Sequence, residues 1–329
     1  MLAAAFTLFS GGLSYAQTIV GAPPAAGRPG LRATPASRAT FTPTMKFGYQ
    51  KIGLDFNMPD ISVLEENNEP EILAGVDFKL TRSNVWVGLV GAELALYPQL
   101  TLFAAGEACF RPDIGAETHP DVIFGPRSLM TGRSVTWTDS EFEHWIIDGG
   151  LCFMGPPWYG VVIGLRSDNL SLKLKAPGIQ GLEPEEGETL RFYRADFQSK
   201  ILLPYVGIQV LSANSKATLI GTRYFSGEIT IPFRFGSEEG DGLKETENKF
   251  SLKGTNGLFV EGLFDYRLLV SSGLYVGVWG RGNVINITDK ATRSSVESEA
   301  ADTRRQSAEQ TASFNRYVYG GGISTSIQF

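Results

Sequence analysis

The last eleven residues, Tyr319-Gly-Gly-Gly-Ile-Ser-Thr-Ser-Ile-Gln-Phe329, decide the fold. Read outward from Phe329, every second residue falls on one face: Ile327, Thr325, Ile323, Gly321, Tyr319 and Tyr317. The intervening Gln328, Ser326, Ser324, Gly322, Gly320 and Arg316 fall on the other. Period-2 alternation of this length is the mark of a β-strand with two different surroundings, one apolar and one polar. The stretch before it repeats the pattern. Leu274, Val276, Val278, Gly280, Gly282 and Val284 share a face, opposite Tyr275, Trp279, Arg281 and Asn283.

Carried further back, the alternation marks ten strands, at 44–57, 83–97, 100–110, 141–153, 159–175, 195–213, 217–236, 254–270, 274–289 and 313–329. Short joints (Tyr97-Pro98-Gln99, Met154 to Trp158, Asn214-Ser215-Lys216, Ser271-Ser272-Gly273) alternate with long polar ones at about 58–82, 111–140, 177–194, 237–253 and 291–312. That rhythm predicts an all-β chain, a single antiparallel transmembrane barrel with short periplasmic turns and long extracellular loops. Residues 71–82 are a candidate extra strand, so twelve strands is the alternative. Several runs are far longer than the five or six residues of a globular strand, which favours a barrel over a sandwich. The body has no apolar run of 18 residues to make a helical span, and only helices and closed barrels satisfy their backbones in lipid.

Residues 1–16 read as a signal peptide, apolar from Leu2 to Phe9, with Ser14 and Ala16 placed for cleavage before Gln17. An irregular arm rich in Ala, Pro, Gly and Thr covers 17–42, and the barrel is expected over 43–329. Hydrophobic residues make up 43% of the 329 and the net charge is −6, which excludes a disordered polymer and a basic nucleic-acid binder.

The ending resembles the β-signal of Gram-negative outer-membrane β-barrel proteins, carried here by Tyr319, Ile323, Thr325, Ile327 and the terminal Phe329. The resemblance covers these eleven residues directly and 44–329 by pattern, with no specific family matched. It implies export to the outer membrane, insertion by the barrel-assembly machinery, and outer-membrane lipid and lipopolysaccharide as surroundings. Aromatics beside the joints fit two interfacial girdles: Tyr97, Trp158, Tyr159 and Phe329 on the periplasmic side, Trp86, Trp145 and Tyr317 on the outer side.

Charges on the lipid face would be costly, so Glu93, Glu107, Asp148, Arg166, Glu228, Arg234, Glu261, Asp265, Arg267, Arg281 and Arg316 are assigned to the lumen. There they either pair and plug it or line a pore, which would need acids and bases on opposite walls. Ten strands lie near the size that side chains just fill, which favours the plug.

Catalytic candidates are sparse. Some barrels of this size are enzymes: surface proteases with an Asp/His pair facing two further Asp residues, and lipid hydrolases with Ser and His. Here the histidines are His119, in a loop, and His144, near Asp139. An Asp139/His144 pair could activate water; a rim histidine is the plainer reading, and the reading leans away from an enzyme. Cys109 and Cys152 suit neither a disulfide framework nor a metal motif. The acidic loops around Glu183 to Glu188 and Glu238 to Glu247 lack calcium-loop spacing and read as solvated surface. The free stretch 291–310, without Gly or Pro, is a candidate short helix. No cofactor is implied. The reading is a surface, structural or interaction barrel, with a porin-like small-solute channel as the alternative and a surface hydrolase third.

Overall fold

The computed structural model describes residues 39–329 apart from 60, 65–69, 74–75, 98, 114–133, 137–138, 156–157, 177, 181–188, 213, 240–241 and 300–301; side chains at the outermost ends of several strands also lie outside the described set. Ten long strands close into one barrel: β1 (Thr40–Met58), β4 (Val76–Tyr97), β5 (Leu100–Asp113), β7 (Asp139–Met154), β8 (Tyr159–Ala176), β10 (Thr189–Leu211), β11 (Ser215–Glu239), β12 (Gly242–Ser271), β13 (Leu274–Glu299) and β14 (Asp302–Ile327). Each pairs antiparallel with its neighbour in the chain, and β14 returns to pair with β1. Four short strands pair in the long connections: β2 (Ile61–Leu64) with β3 (Pro70–Leu73) as a hairpin, and β6 (Ser134–Thr136) with β9 (Gly178–Gln180) as a two-stranded sheet between two different connections.

The count settles on ten, because residues 76–82 extend β4 and pair with β1 (Leu54 opposite Leu80, Phe56 opposite Phe78). The expected loops at 237–253 and 291–312 are corrected. Only 240–241 and 300–301 separate β11 from β12 and β13 from β14, and the candidate helix over 291–310 is strand, in unbroken register from Leu274–Ile327 to Glu299–Asp302. Alternating hydrophobicity reports an apolar exterior, and it fades where both strand faces are polar although the backbone ladder runs on. Opposite charges then sit in register, as at Glu297 with Arg304 and Arg234 with Glu247. The signal peptide and most of the arm fall outside the described residues; β1 begins at Thr40, three residues before the expected barrel start.

The turn between β12 and β13 needs Gly273. Its φ is +79°, and a Cβ there would stand 2.8 Å from the Gln328 carbonyl oxygen. Gly322 likewise lets β14 approach β1. A Cβ on it would meet the Phe47 carbonyl, while Trp279 of β13 reaches over to the same carbonyl, its indole N–H donating at 3.4 Å.

The exterior carries an apolar belt. Met45, Phe47, Val90, Ile147, Ile163, Val206, Leu219, Leu268, Val278 and Ile323 are all exposed. Trp86 and Tyr97, eleven residues apart on β4, bound it, roughly 36 Å of strand, which at a tilt of about 40° spans close to 28 Å and matches a hydrocarbon core. All seven expected girdle aromatics are exposed, and several pack on neighbours: Trp86 stacks on Phe47 at 5.4 Å, and Trp158 meets Tyr159 edge-on.

Candidate functional site

Inward-facing residues fill the barrel in layers. In the layer nearest the loop end of the belt, the Arg316 guanidinium grips both oxygens of Asp168, at 2.8 Å on Oδ1 with a second contact to Oδ2. His144 Nε2 lies 3.2 Å from the same Oδ1, and its Nδ1 is 3.8 Å from Cys109 Sγ. Arg316 and Asp168 are each 1% exposed and His144 3%. The next layer centres on Arg166, which donates to Asp148 (2.7 and 3.1 Å) and to both oxygens of Glu261 (2.7 and 2.8 Å). Tyr205 donates to Asp148 at 2.6 Å, Asn283 to Glu261 at 3.0 Å, and Phe259 presents its face to the guanidinium. Beside it Arg281 is bidentate on Glu107 (2.6 and 2.6 Å), with Gln50 bonded to both. Toward the short turns, Lys46 and Arg267 share Asp265 (2.7 and 2.9 Å), and Lys216 holds Glu93 at 2.5 Å.

Arg166–Asp148 joins adjacent strands and Arg267–Asp265 lies within β12, but the other pairs cross the lumen. Arg316 on β14 and Asp168 on β8 stand five places apart in the ten-strand ring, and so do Lys216 on β11 and Glu93 on β4; both pairs therefore span a diameter. Arg281 on β13 and Glu107 on β5 are four places apart. Among the described residues the ion-paired set in the lumen is six cations (Lys46, Arg166, Lys216, Arg267, Arg281, Arg316) against six carboxylates (Glu93, Glu107, Asp148, Asp168, Glu261, Asp265). A buried charge is tolerated only when paired and hydrogen-bonded, and bidentate arginine supplies both. Beyond the Arg316 layer the filling turns apolar: Ile52, Leu54, Phe56, Leu172, Phe197, Ile229, Leu252, Ile285, Ile287 and Phe314 are buried, and Phe197 stacks on Phe314 at 5.9 Å from four places across the ring.

Space remains at the short-turn end. A cavity of about 170 Å³ is bounded by Lys46, Glu93, Lys216, Asp265 and Arg267 and reaches Arg166. A mouth pocket of about 210 Å³ shares Glu93, Lys216, Asp265 and Arg267 with it and reaches the turn residues Ser212 and Asn214. Thr44 Oγ1, Arg267 Nε and Arg281 Nε, all from cavity-lining residues, lack a hydrogen-bond partner among the described residues, which suits water there.

An apolar belt between aromatic girdles, enclosing a polar, charge-filled interior in a closed antiparallel ring, is decisive. The fold is that of an outer-membrane β-barrel. The outer membrane protease OmpT from Escherichia coli superposes with a TM-score of 0.57 at 12% identity, over 88% of this chain and 97% of that one. A Pseudomonas aeruginosa FadL homologue (9% identity, 88% and 90% covered) and the translocator domain of the autotransporter NalP from Neisseria meningitidis (10%, 85% and 88%) give 0.31 and 0.34. No protein-family model matches the chain, and no curated protein does by sequence.

Within the barrel, nine of the residues assigned to the lumen, Glu93, Glu107, Asp148, Arg166, Glu261, Asp265, Arg267, Arg281 and Arg316, sit in the cross-lumen network. Glu228 does not. Register shifts at Thr222/Tyr224 and Tyr224/Gly227 insert bulges into β11, so buried positions pass from Thr218 and Ile220 to Phe225 and Ile229. Glu228 is thereby turned outward, its side chain 48% exposed and 3.5 Å from Lys253. Arg234 stands in register with Arg194, and its side chain lies outside the described residues. Asp139 and His144 are not brought together: five residues of unbulged strand separate them, roughly 16 Å, and the partner of His144 is Asp168. His119 lies outside the described residues.

Lys46, Lys216 and Asp168 join the network without having been singled out. Asp168 shares the inward parity of Arg166 two residues earlier, which is the signal that would have found it. Both cysteines are free thiols, Cys109 beside His144 and Cys152 beside Met154. In the terminal motif, Tyr319, Ile323, Thr325, Ile327 and Phe329 all face outward, and the Phe329 N–H donates to the Phe41 carbonyl at 3.0 Å where β14 meets β1.

Proposed function

We propose that this protein resides in the outer membrane of a Gram-negative cell as a sealed barrel, a surface or structural protein that acts through its extension beyond the membrane and conducts no solute. On this reading residues 1–16 direct export, the terminal strand ending in Phe329 is the segment recognised by the assembly machinery, and the long strand ends face the cell exterior. The observation that carries it is the double closure: cross-lumen ion pairs, two of them on full diameters, beneath an apolar layer that includes Phe197 and Phe314. A porin-like channel keeps acids and bases apart on opposite walls; here most of the cations lie on β1 and β11 to β14 and most of the carboxylates on β4, β5, β7 and β8, but they reach one another across the lumen and, among the described residues, balance six against six. The hydrolase reading has little geometric support, since His144 is buried against Asp168 and Cys109.

The test is current across a planar bilayer. Refolded protein is expected to show a heat-modifiable gel shift, as a folded barrel does, and no steady conductance. Removing both closures (Phe197→Ala and Phe314→Ala with Arg316→Ala and Asp168→Ala) is expected to open one. Steady unitary currents from the unaltered chain would sink the sealed-lumen reading, and full solubility without detergent would sink the membrane assignment.

A further inference from the structure

The bulge that turns Glu228 outward also places two consecutive residues, Arg223 and Tyr224, on the outer surface, where a regular pleat exposes only every second one. Register then assembles a cluster around them. Lys200 of β10 pairs with Glu228 of β11, which pairs with Lys253 of β12, and all three are exposed. Arg223 falls opposite residues 257–258 of β12, beside the exposed Leu258, and Leu202 lies two residues from Lys200 toward the belt. Three cations thus meet the upper edge of the apolar belt over three adjacent strands, with one carboxylate among them. Glu228 lies 3.5 Å from Lys253; Arg223 and Lys200 have no ion-pair partner among the described residues.

On β7, across the barrel, the balance is reversed. On β7 the exposed charges are Glu141 and Glu143, and the nearby Lys173 is engaged by Glu141 at 2.9 Å. An arginine near the lipid interface is cheap only when its head reaches polar surroundings, and a guanidinium matches two phosphate oxygens at once. A bulge that re-aims an arginine to the foot of a group of two ammonium groups sharing one carboxylate leaves an excess of positive charge that calls for an anion there.

We propose that the β10–β12 sector binds the phosphorylated headgroup of an outer-leaflet glycolipid, with Arg223, Lys200 and Lys253 taking the phosphates and the acyl chains lying along Leu202, Val206, Leu219 and Leu258. The proposal rests on the outer-membrane reading above and names a lipid for that surface. Glu228 spaces the two lysines and limits affinity.

Binding of bisphosphorylated lipid A to the full chain in detergent micelles tests it, against the same lipid stripped of phosphate and against inorganic phosphate as competitor. The unaltered protein is expected to bind the phosphorylated form about tenfold more tightly than does a Lys200→Gln/Arg223→Gln/Lys253→Gln variant, the loss of charge-assisted contacts. The dephosphorylated lipid should bind both alike, and Glu228→Gln should tighten binding. Lys51→Gln, on β1 across the barrel, should change nothing. If the triple variant does not show the folded gel shift, Arg223→Gln alone serves, with a loss of several-fold expected. Equal binding by the variant and the unaltered chain would overturn the site, as would an equal loss in Lys51→Gln. Complete competition by equimolar inorganic phosphate would overturn the glycolipid assignment. A barrel that folds, blocks current and ignores lipid A would overturn this site while leaving the sealed-lumen reading intact.

Discussion

One barrel wall has two opposite constructions along its length. Between the girdles, apolar side chains such as Val278 and Ile323 point out and ion pairs point in. Beyond the loop-side girdle, Leu54, Leu172, Ile229 and Ile287 point in, while Lys51, Lys173, Lys200 and Lys290 are directed outward. The same strands pass from one regime to the other without a break, β14 from Phe314 inside and Thr311 outside to Ser324 inside and Ile323 outside. Backbone pairing is indifferent to which face is apolar; the surrounding solvent decides. In lipid the outward face must be apolar and the interior can hold charges only as satisfied pairs. In water the polarity returns to that of a soluble protein, with the hydrophobic effect packing the inside.

That contrast is open to direct attack. The largest effect is expected from Arg166→Met, which strands Asp148 and Glu261 inside the barrel. A loss of about 3 to 5 kcal/mol should appear as a lower denaturant midpoint in micelles, recovered in good part when both carboxylates are replaced by apolar residues of similar volume. Leu172→Ala attacks the apolar filling of the extension and should cost about 2 to 5 kcal/mol, read by the same titration, with the gel shift retained. Val278→Lys places a charge on the lipid face and should cost about 2 to 4 kcal/mol in folding into bilayers. Its counterpart Thr311→Lys, outward on the extension, should stay within about 0.5 kcal/mol. Equal penalties for these two lysines would erase the boundary drawn between the regions.

The boundary also explains what could be read in advance. Ten strands, both girdles and nine of the lumen charges were legible because lipid forces a period-2 signal onto the sequence. Past Lys290 and before Thr311 that pressure is gone, so the strand continuations of β13 and β14 resemble loop or helix in composition. Glu228 departs from the alternation because bulges across 222–227 shift its parity, a change that Gly221 and Gly227 only hint at. The partners of the lumen charges were illegible for a different reason. Asp168 and Arg316 are joined by their places in a closed ring, a property of the whole circuit that no local window contains.

That same pair has a consequence for how the molecule comes together. Its members are 148 residues apart in the chain, and the Arg281–Glu107 pair spans 174. Neither contact can exist while the sheet is an open ribbon, so the cross-lumen part of the charge pairing arrives together when the last strand docks on the first, whereas Arg166–Asp148, between adjacent strands, can form earlier. Until then Asp168, Arg316, Glu107 and Arg281 must stay wet. Insertion is thereby coupled to completion, and a stalled intermediate with a gap in its wall would remain hydrated inside and be easily distinguished from the finished barrel by hydrogen exchange at the seam.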